Sequence, residues 1–202
     1  GSASKRWQSA FELSKLLNTP DRIPTDISFK NQMISIYKHS IHDDPLVRSY
    51  LALAMGMTGD IFYDQTILEG LDDENIESRI AAIQAMGMIR SKIGTEKLLY
   101  IAENCKSTQE KLAATISLGL IGDDKATSYL INLLDDEEPN IRWDAAIGLA
   151  KMGNKSGLYI VESLLDREYL NSFPEVDELE KTKAIMVAIE VSSILKDQKL
   201  KT

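Results

Sequence analysis

The chain has 202 residues, 44% of them hydrophobic and 27% charged, with a formal net charge of −8 and one cysteine. There is enough apolar material for a buried core, but the acidic balance argues against a phosphate-binding surface, which needs clustered Lys and Arg. Cys105 has no partner for an internal disulfide, and no apolar run approaches the ~20 residues that span a bilayer.

Gly1-Ser2 reads as the remnant of a cleaved tag, so the native N-terminus is expected to lie upstream. From Ser4 to Asn18, Trp7, Ala10, Phe11, Ser14 and Leu17 recur at three and four residues, the spacing of one helical face. Pro20 and Pro24 then interrupt the pattern. A second helix is expected from about Asp26 to Ile41, with Phe29, Met33, Ile36 and Tyr37 inward. These two helices, residues 1–42, read as a capping pair, since a terminal unit of an array presents one face to water.

Residues 43–166 read as four copies of a two-helix unit. Arg48, Arg79, Lys111 and Arg142 are separated by 31, 32 and 31 residues, and a fixed period of this length signals a solenoid. In the same register Leu51, Ala82, Ala114 and Ala145 form a column. Ala54, Ala85, Ser117 and Gly148 form a small one, Met55, Met86, Leu118 and Leu149 a large apolar one, and Gly56, Gly87, Gly119 and Ala150 another small one. Small columns allow neighbouring helices to approach closely, and the large column fills the groove beside them. Gly59, Gly122 and Gly153 sit where each first helix should stop, in the left-handed conformation, with Asp60, Asp123 and Asn154 next to cap the following helix. Repeat two has Arg90-Ser91 there and Gly94 beyond, which predicts a longer turn. Pro45 and Pro139 suit helix starts. In the second helices Ile67, Leu98, Leu130 and Val161 share one inward position, and Leu71, Ala102, Leu134 and Leu165 another.

Residues 167–202 break the period. Arg167 to Val176 reads as an inserted loop with two exposed aromatics, Tyr169 and Phe173. A capping helix follows from roughly Glu175 to Lys196, with Leu179, Ala184, Val187, Ala188, Val191, Ile194 and Leu195 on one face, and fraying is expected after Asp197.

The motif Asp44-Pro45, Val47-Arg48, Ala52, Met55-Gly56, Gly59-Asp60, repeated as Pro139, Ile141-Arg142, Ala145-Ala146, Gly153-Asn154, resembles the HEAT-like repeats of phycobilisome lyases. The resemblance covers about Asp43 to Asp166. It implies an all-α solenoid of antiparallel helix pairs, with second helices lining a concave face and a ladder of Arg–carboxylate contacts between repeats. It does not specify an activity, because unrelated functions use this scaffold.

Each route to chemistry is weak. The basic column could bind anions, but each member lies near a helix start, where a cation is disfavoured, and Asp44, Glu74, Glu110 and Glu138 lie just upstream. A structural ladder is the better reading. His39 and His42, followed by Asp43-Asp44, supply too few ligands for a metal. The paired His-Glu iron ligands of the deoxyhypusine hydroxylases, which share the repeat, have no counterpart, as no His-Glu dipeptide occurs. Cys105 has no histidine nearby, and no phosphate loop exists.

Helical register points Gln65, Glu69, Asp72, Glu96, Tyr100, Glu103, Ser128, Asn132, Asp135, Tyr159, Ser163 and Asp166 outward from the second helices. That row is acidic with two tyrosines, which repels nucleic acid and favours basic partners. The expected function is a non-enzymatic scaffold that binds another protein or peptide carrying a basic segment, with no cofactor, nucleic acid or membrane. Its contacts would be Tyr100 and Tyr159 among Glu69, Asp72, Glu96, Glu103, Asp135 and Asp166, with Tyr169 and Phe173 as a second site. The alternatives are a lyase-type enzyme subunit acting on a chromophore or modified protein, and a purely structural segment of a larger chain.

Overall fold

A computed structural model describes residues 3–19, 21 and 23–199, so Gly1-Ser2 lies outside the described residues. These hold twelve α-helices and no strand. The first two are α1 (Ala3–Leu17) and α2 (Ile27–His39). Four pairs follow: α3 (Pro45–Met57) with α4 (Asp64–Gly70), α5 (Ile76–Ile89) with α6 (Thr95–Asn104), α7 (Thr108–Ile121) with α8 (Thr127–Asn132), and α9 (Pro139–Lys151) with α10 (Leu158–Ser163). A short α11 (Arg167–Asn171) and the long α12 (Glu178–Lys199) complete the chain.

The helix starts follow from the capping residues. Asp26 accepts from the Phe29 N–H at 2.8 Å, Asn75 from Ser78 at 3.0 Å and Ser107 from Glu110 at 3.3 Å, satisfying amides that a helix start would leave open. Pro45 and Pro139 each occupy the first turn, as expected.

The first helices stack in order, α1 on α3, then α5, α7, α9 and finally α12. All four columns are buried, and the large one, Met55, Met86, Leu118 and Leu149, has no exposed surface. The small columns meet across each seam. A Cβ added at Gly56 would stand 2.7 Å from Ala85 Cα, one at Gly87 2.8 Å from Ser117 Cα, and one at Gly119 2.7 Å from Gly148 Cα. Helices this close need the missing side chains. Ser117 also donates from Oγ to the Ile83 carbonyl at 2.9 Å, tying α7 to α5.

Several expectations are corrected. The turn of repeat two is no longer than the others: Arg90 itself takes the left-handed conformation, φ 54°, so its backbone does what Gly59, Gly122 and Gly153 do in their turns. Ile36 is exposed, as α2 packs through Met33 and Tyr37 instead. Leu165 is exposed and Leu164 buried, because α10 ends at Ser163 and Asp166 caps α11. Leu179 is exposed, whereas Ala188 and Val191 of α12 are buried; the side chains of Ile194 and Leu195 lie outside the described residues. The helix continues two residues past Asp197 rather than fraying there, and residues 200–202 lie outside the described ones.

Candidate functional site

Glu69, Glu96, Tyr100, Glu103 and Tyr159 of the second helices, and Asp72, Asp135 and Asp166 just beyond their ends, are all exposed. Tyr100 and Tyr159 are 62% and 57% exposed. Their inward neighbours Ile67, Leu98, Leu130 and Val161 are fully buried, and this anchoring fixes the orientation of each helix.

The acids do not form a bare stripe. Lys38 pairs with Glu69 at 3.2 Å, Lys97 with Asp72 at 2.5 Å and Lys125 with Glu96 at 2.5 Å. Each bond links one repeat to its neighbour, and the Lys125 contact holds the Glu96 carboxyl below its usual range. Asp166 is engaged as the cap of α11, accepting from the Glu168 N–H at 2.8 Å. Glu103 and Asp135 have no hydrogen-bond or ion-pair partner among the described residues. The expected acidic edge is therefore a mixed-charge strip that ends in two unpaired carboxylates.

Around Tyr100 the face opens into two adjoining clefts. One, of 540 Å³, is lined by Leu68, Asp72, Ile93, Glu96, Lys97 and Tyr100. The other, of 310 Å³, continues past Tyr100 toward Asn104, Cys105 and Glu110. Lys97, over the Tyr100 ring at 5.9 Å, went unnoticed in the sequence. Its place three residues before Tyr100 on one helix was the available signal.

Tyr169 and Phe173 are not the exposed loop aromatics that were expected. Arg167–Asn171 is helical, and both rings are half-buried against Trp143, with centroids 6.4 and 5.4 Å from the indole. The Trp143 Nε1–H donates to the Tyr169 hydroxyl at 3.3 Å. The insertion closes over the end of the core and uses its aromatics in doing so.

A family model for HEAT repeats matches residues 95–170, which span α6 to α11. Residues 95–170 carry HEAT repeats. The same buried columns continue on the N-terminal side of that span, from α3 onward. The crystal structure of an engineered protein is similar over 95% of this chain and 92% of that one, with a TM-score of 0.59 and 16% identity, a likeness of fold. Human deoxyhypusine hydroxylase in complex with glycerol matches at a TM-score of 0.38 and 16% identity, over 94% of this chain and 80% of that one. No curated protein matches.

Along the array the basic column is structural, but its partners differ from those expected. Arg48 pairs with Asp73, and Arg79 with Glu110 in the first turn of α7, while Arg79 donates back to the Asp73 carbonyl. Lys111 pairs with Asp136 at 2.5 Å, and Arg142 donates to the Asp136 carbonyl at 2.6 Å. Turns between repeats thus hold the cations. Of the four upstream acids, only Glu110 takes part in an ion pair with the column, and it belongs to Arg79 rather than Lys111. The Glu110 bond raises the Arg79 pKa.

His39 uses its Nδ1–H on the Ser35 carbonyl at 2.7 Å; the His42 side chain lies outside the described residues. Among the described residues no group of three or more His, Cys, Asp or Glu side chains could hold a metal ion. Burial, and then the Glu110 carboxylate, push the Cys105 thiol above its ordinary pKa, the opposite of an activated nucleophile.

Proposed function

We propose that the HEAT array is a non-enzymatic scaffold that binds a segment of another protein along its second-helix face, centred on Tyr100. The observation that carries this reading is a 62% exposed tyrosine between two clefts, flanked by Leu68 and Ile93. A tyrosine on a rigid helix offers large apolar area and a hydroxyl at little entropic cost, as interface anchors do. Glu103, on the same helix, and Asp135, in the next repeat, keep their charge available. A bound segment then carries Lys or Arg next to an apolar residue that covers Tyr100. Glu69, Asp72 and Glu96, already paired, contribute shape more than charge.

The test is fluorescence polarisation against peptides of matched length and graded net charge. Basic peptides with one aromatic or aliphatic residue should bind best. Tyr100→Ala should weaken them by about tenfold or more, the loss expected of an interface anchor. Equal binding of acidic peptides, or an unaffected Tyr100→Ala variant, would remove the proposal.

A further inference from the structure

A second feature lies in the other helix layer. In repeat register, Asp144 of α9 occupies the column of Tyr50, Ala81 and Ala113. Those residues pack between successive first helices, and both alanines are buried at 4% and 5% exposure. Repeat four breaks the column with a carboxylate. A local departure from an otherwise consistent pattern marks a place where function competes with stability.

Asp144 lines a 230 Å³ cleft where α7, α9 and α12 converge. Ile116, Ile147 and Val187 supply apolar walls, one from each helix. The Asp144 carboxylate has no hydrogen bond and no ion pair among the described residues. Glu180 enters from α12 and accepts from Asn140 Nδ2 at 3.1 Å. Two cations are near. Lys183 lines the cleft from α12 and Lys151 acts on Asp144 along α9, but neither reaches a carboxylate within ion-pair distance. α7 adds only Leu112 and Ile116. Burial therefore dominates, and it raises the Asp144 pKa from 3.8 to about 7, with Lys151 opposing and Glu180 adding.

We infer that this cleft binds the ε-ammonium of a lysine presented by a partner protein. The volume is below the roughly 300–1,000 Å³ of a small-molecule pocket, which suits one side chain. Apolar walls suit a four-carbon stem, and carboxylates from two helices suit a compact head with three N–H donors. An unpaired carboxylate set among apolar walls gains from a cation that joins it. This inference shares with the Tyr100 reading only the premise that the scaffold binds proteins. It concerns a different face, and the two can fail separately.

The experiment is a titration of the full isotope-labelled chain with Nα-acetyl-lysine methylamide, followed by amide and side-chain carboxyl resonances. Saturable shifts should appear around Asn140, Trp143 and Ala184, and the Asp144 carboxyl should titrate at lower pH when ligand is bound. Asp144→Asn should weaken binding by about tenfold or more, the loss of one charged hydrogen bond, and Glu180→Gln should weaken it less while leaving the α9 environment intact. The norleucine analogue, which lacks the charge, should produce no saturable shift. Equal response to norleucine, unchanged binding in both variants, or a stronger response to the arginine analogue would each overturn the assignment. A free alkylamine binding as tightly as the lysine analogue would mean that the site serves small amines rather than a protein side chain, and would overturn it as well.

Discussion

Gly119→Ala tests the packing argument where it is sharpest. The added Cβ would lie 2.7 Å from Gly148 Cα, against an ordinary contact of 3.4 Å or more, so α7 and α9 must separate locally by roughly 0.7 Å. The obstacle is backbone and cannot rotate away. Alanine gains about 1 kcal/mol over glycine in helix propensity, whereas forcing a methyl into a tight seam costs about 1–3 kcal/mol. Because the contact is with main chain, the larger figure applies, and a net loss of about 1–2 kcal/mol is expected. Urea unfolding followed by circular dichroism measures it. Two controls separate the causes. Gly148→Ala should cost less, because its Cβ would stand 3.0 Å from Gly119 Cα. Gly59→Ala, with φ +64° and nothing within 4 Å, should show only the left-handed penalty of about 1–2 kcal/mol. A Gly119→Ala variant as stable as the parent, or more so, would refute the claim that small columns set the repeat spacing.

Arg90→Gly should stabilise the chain by about 1 kcal/mol, since a β-carbon at φ 54° is strained; thermal melting reads it, and a destabilised variant would show that the Arg90 side chain matters more than its backbone. Arg79→Ala should cost about 2–4 kcal/mol by leaving the 4% exposed Glu110 without its cation. Arg142→Ala, which loses two carbonyl bonds and a contact over the Phe173 ring at 5.6 Å but no ion pair, should cost about 1–2 kcal/mol. Equal losses in denaturant titrations would contradict the ladder as described. Asp144 makes stability depend on pH in a direction unusual for an acid. Its folded pKa of about 7 lies above the ordinary 3.8, so the native state holds the proton longer and stability falls as pH rises from about 4 to about 7. The displacement corresponds to at most about 4 kcal/mol, cut to about 1–2 by the water that reaches this half-buried residue. Asp144→Ala, which restores the column residue, should remove that slope and raise the melting temperature at pH 8. A variant with the parent's pH profile would exclude Asp144 as its source.

Much of this fold is legible in the chain itself because burial in a solenoid is periodic. Met55, Met86, Leu118 and Leu149 face the same environment every repeat, so one physical demand is written four times. The outward register of Tyr100 and Tyr159 follows from the same helical geometry once Leu98 and Val161 are known to point inward. Glycines at 59, 122 and 153 announce their turns because few other residues accept a positive φ, and Arg90 suggested a longer turn because a non-glycine residue endures that strain only when the flanking helices hold it.

What the chain alone determined, then, is whatever depends on spacing along one helix or one repeat: the helix pairs, the buried columns, the capped turns. Only the tertiary structure decided who meets whom across a seam. Arg48 and Lys111 reach Asp73 and Asp136, lysines interleave with the acids of the second-helix face, Tyr169 and Phe173 fold onto Trp143, and Asp144 ends in a cleft with Glu180. Each of these is set by how far apart neighbouring helices sit and how α12 lies against α9. Residues 25 to 40 positions apart become neighbours only through that packing, so no local periodicity encodes them.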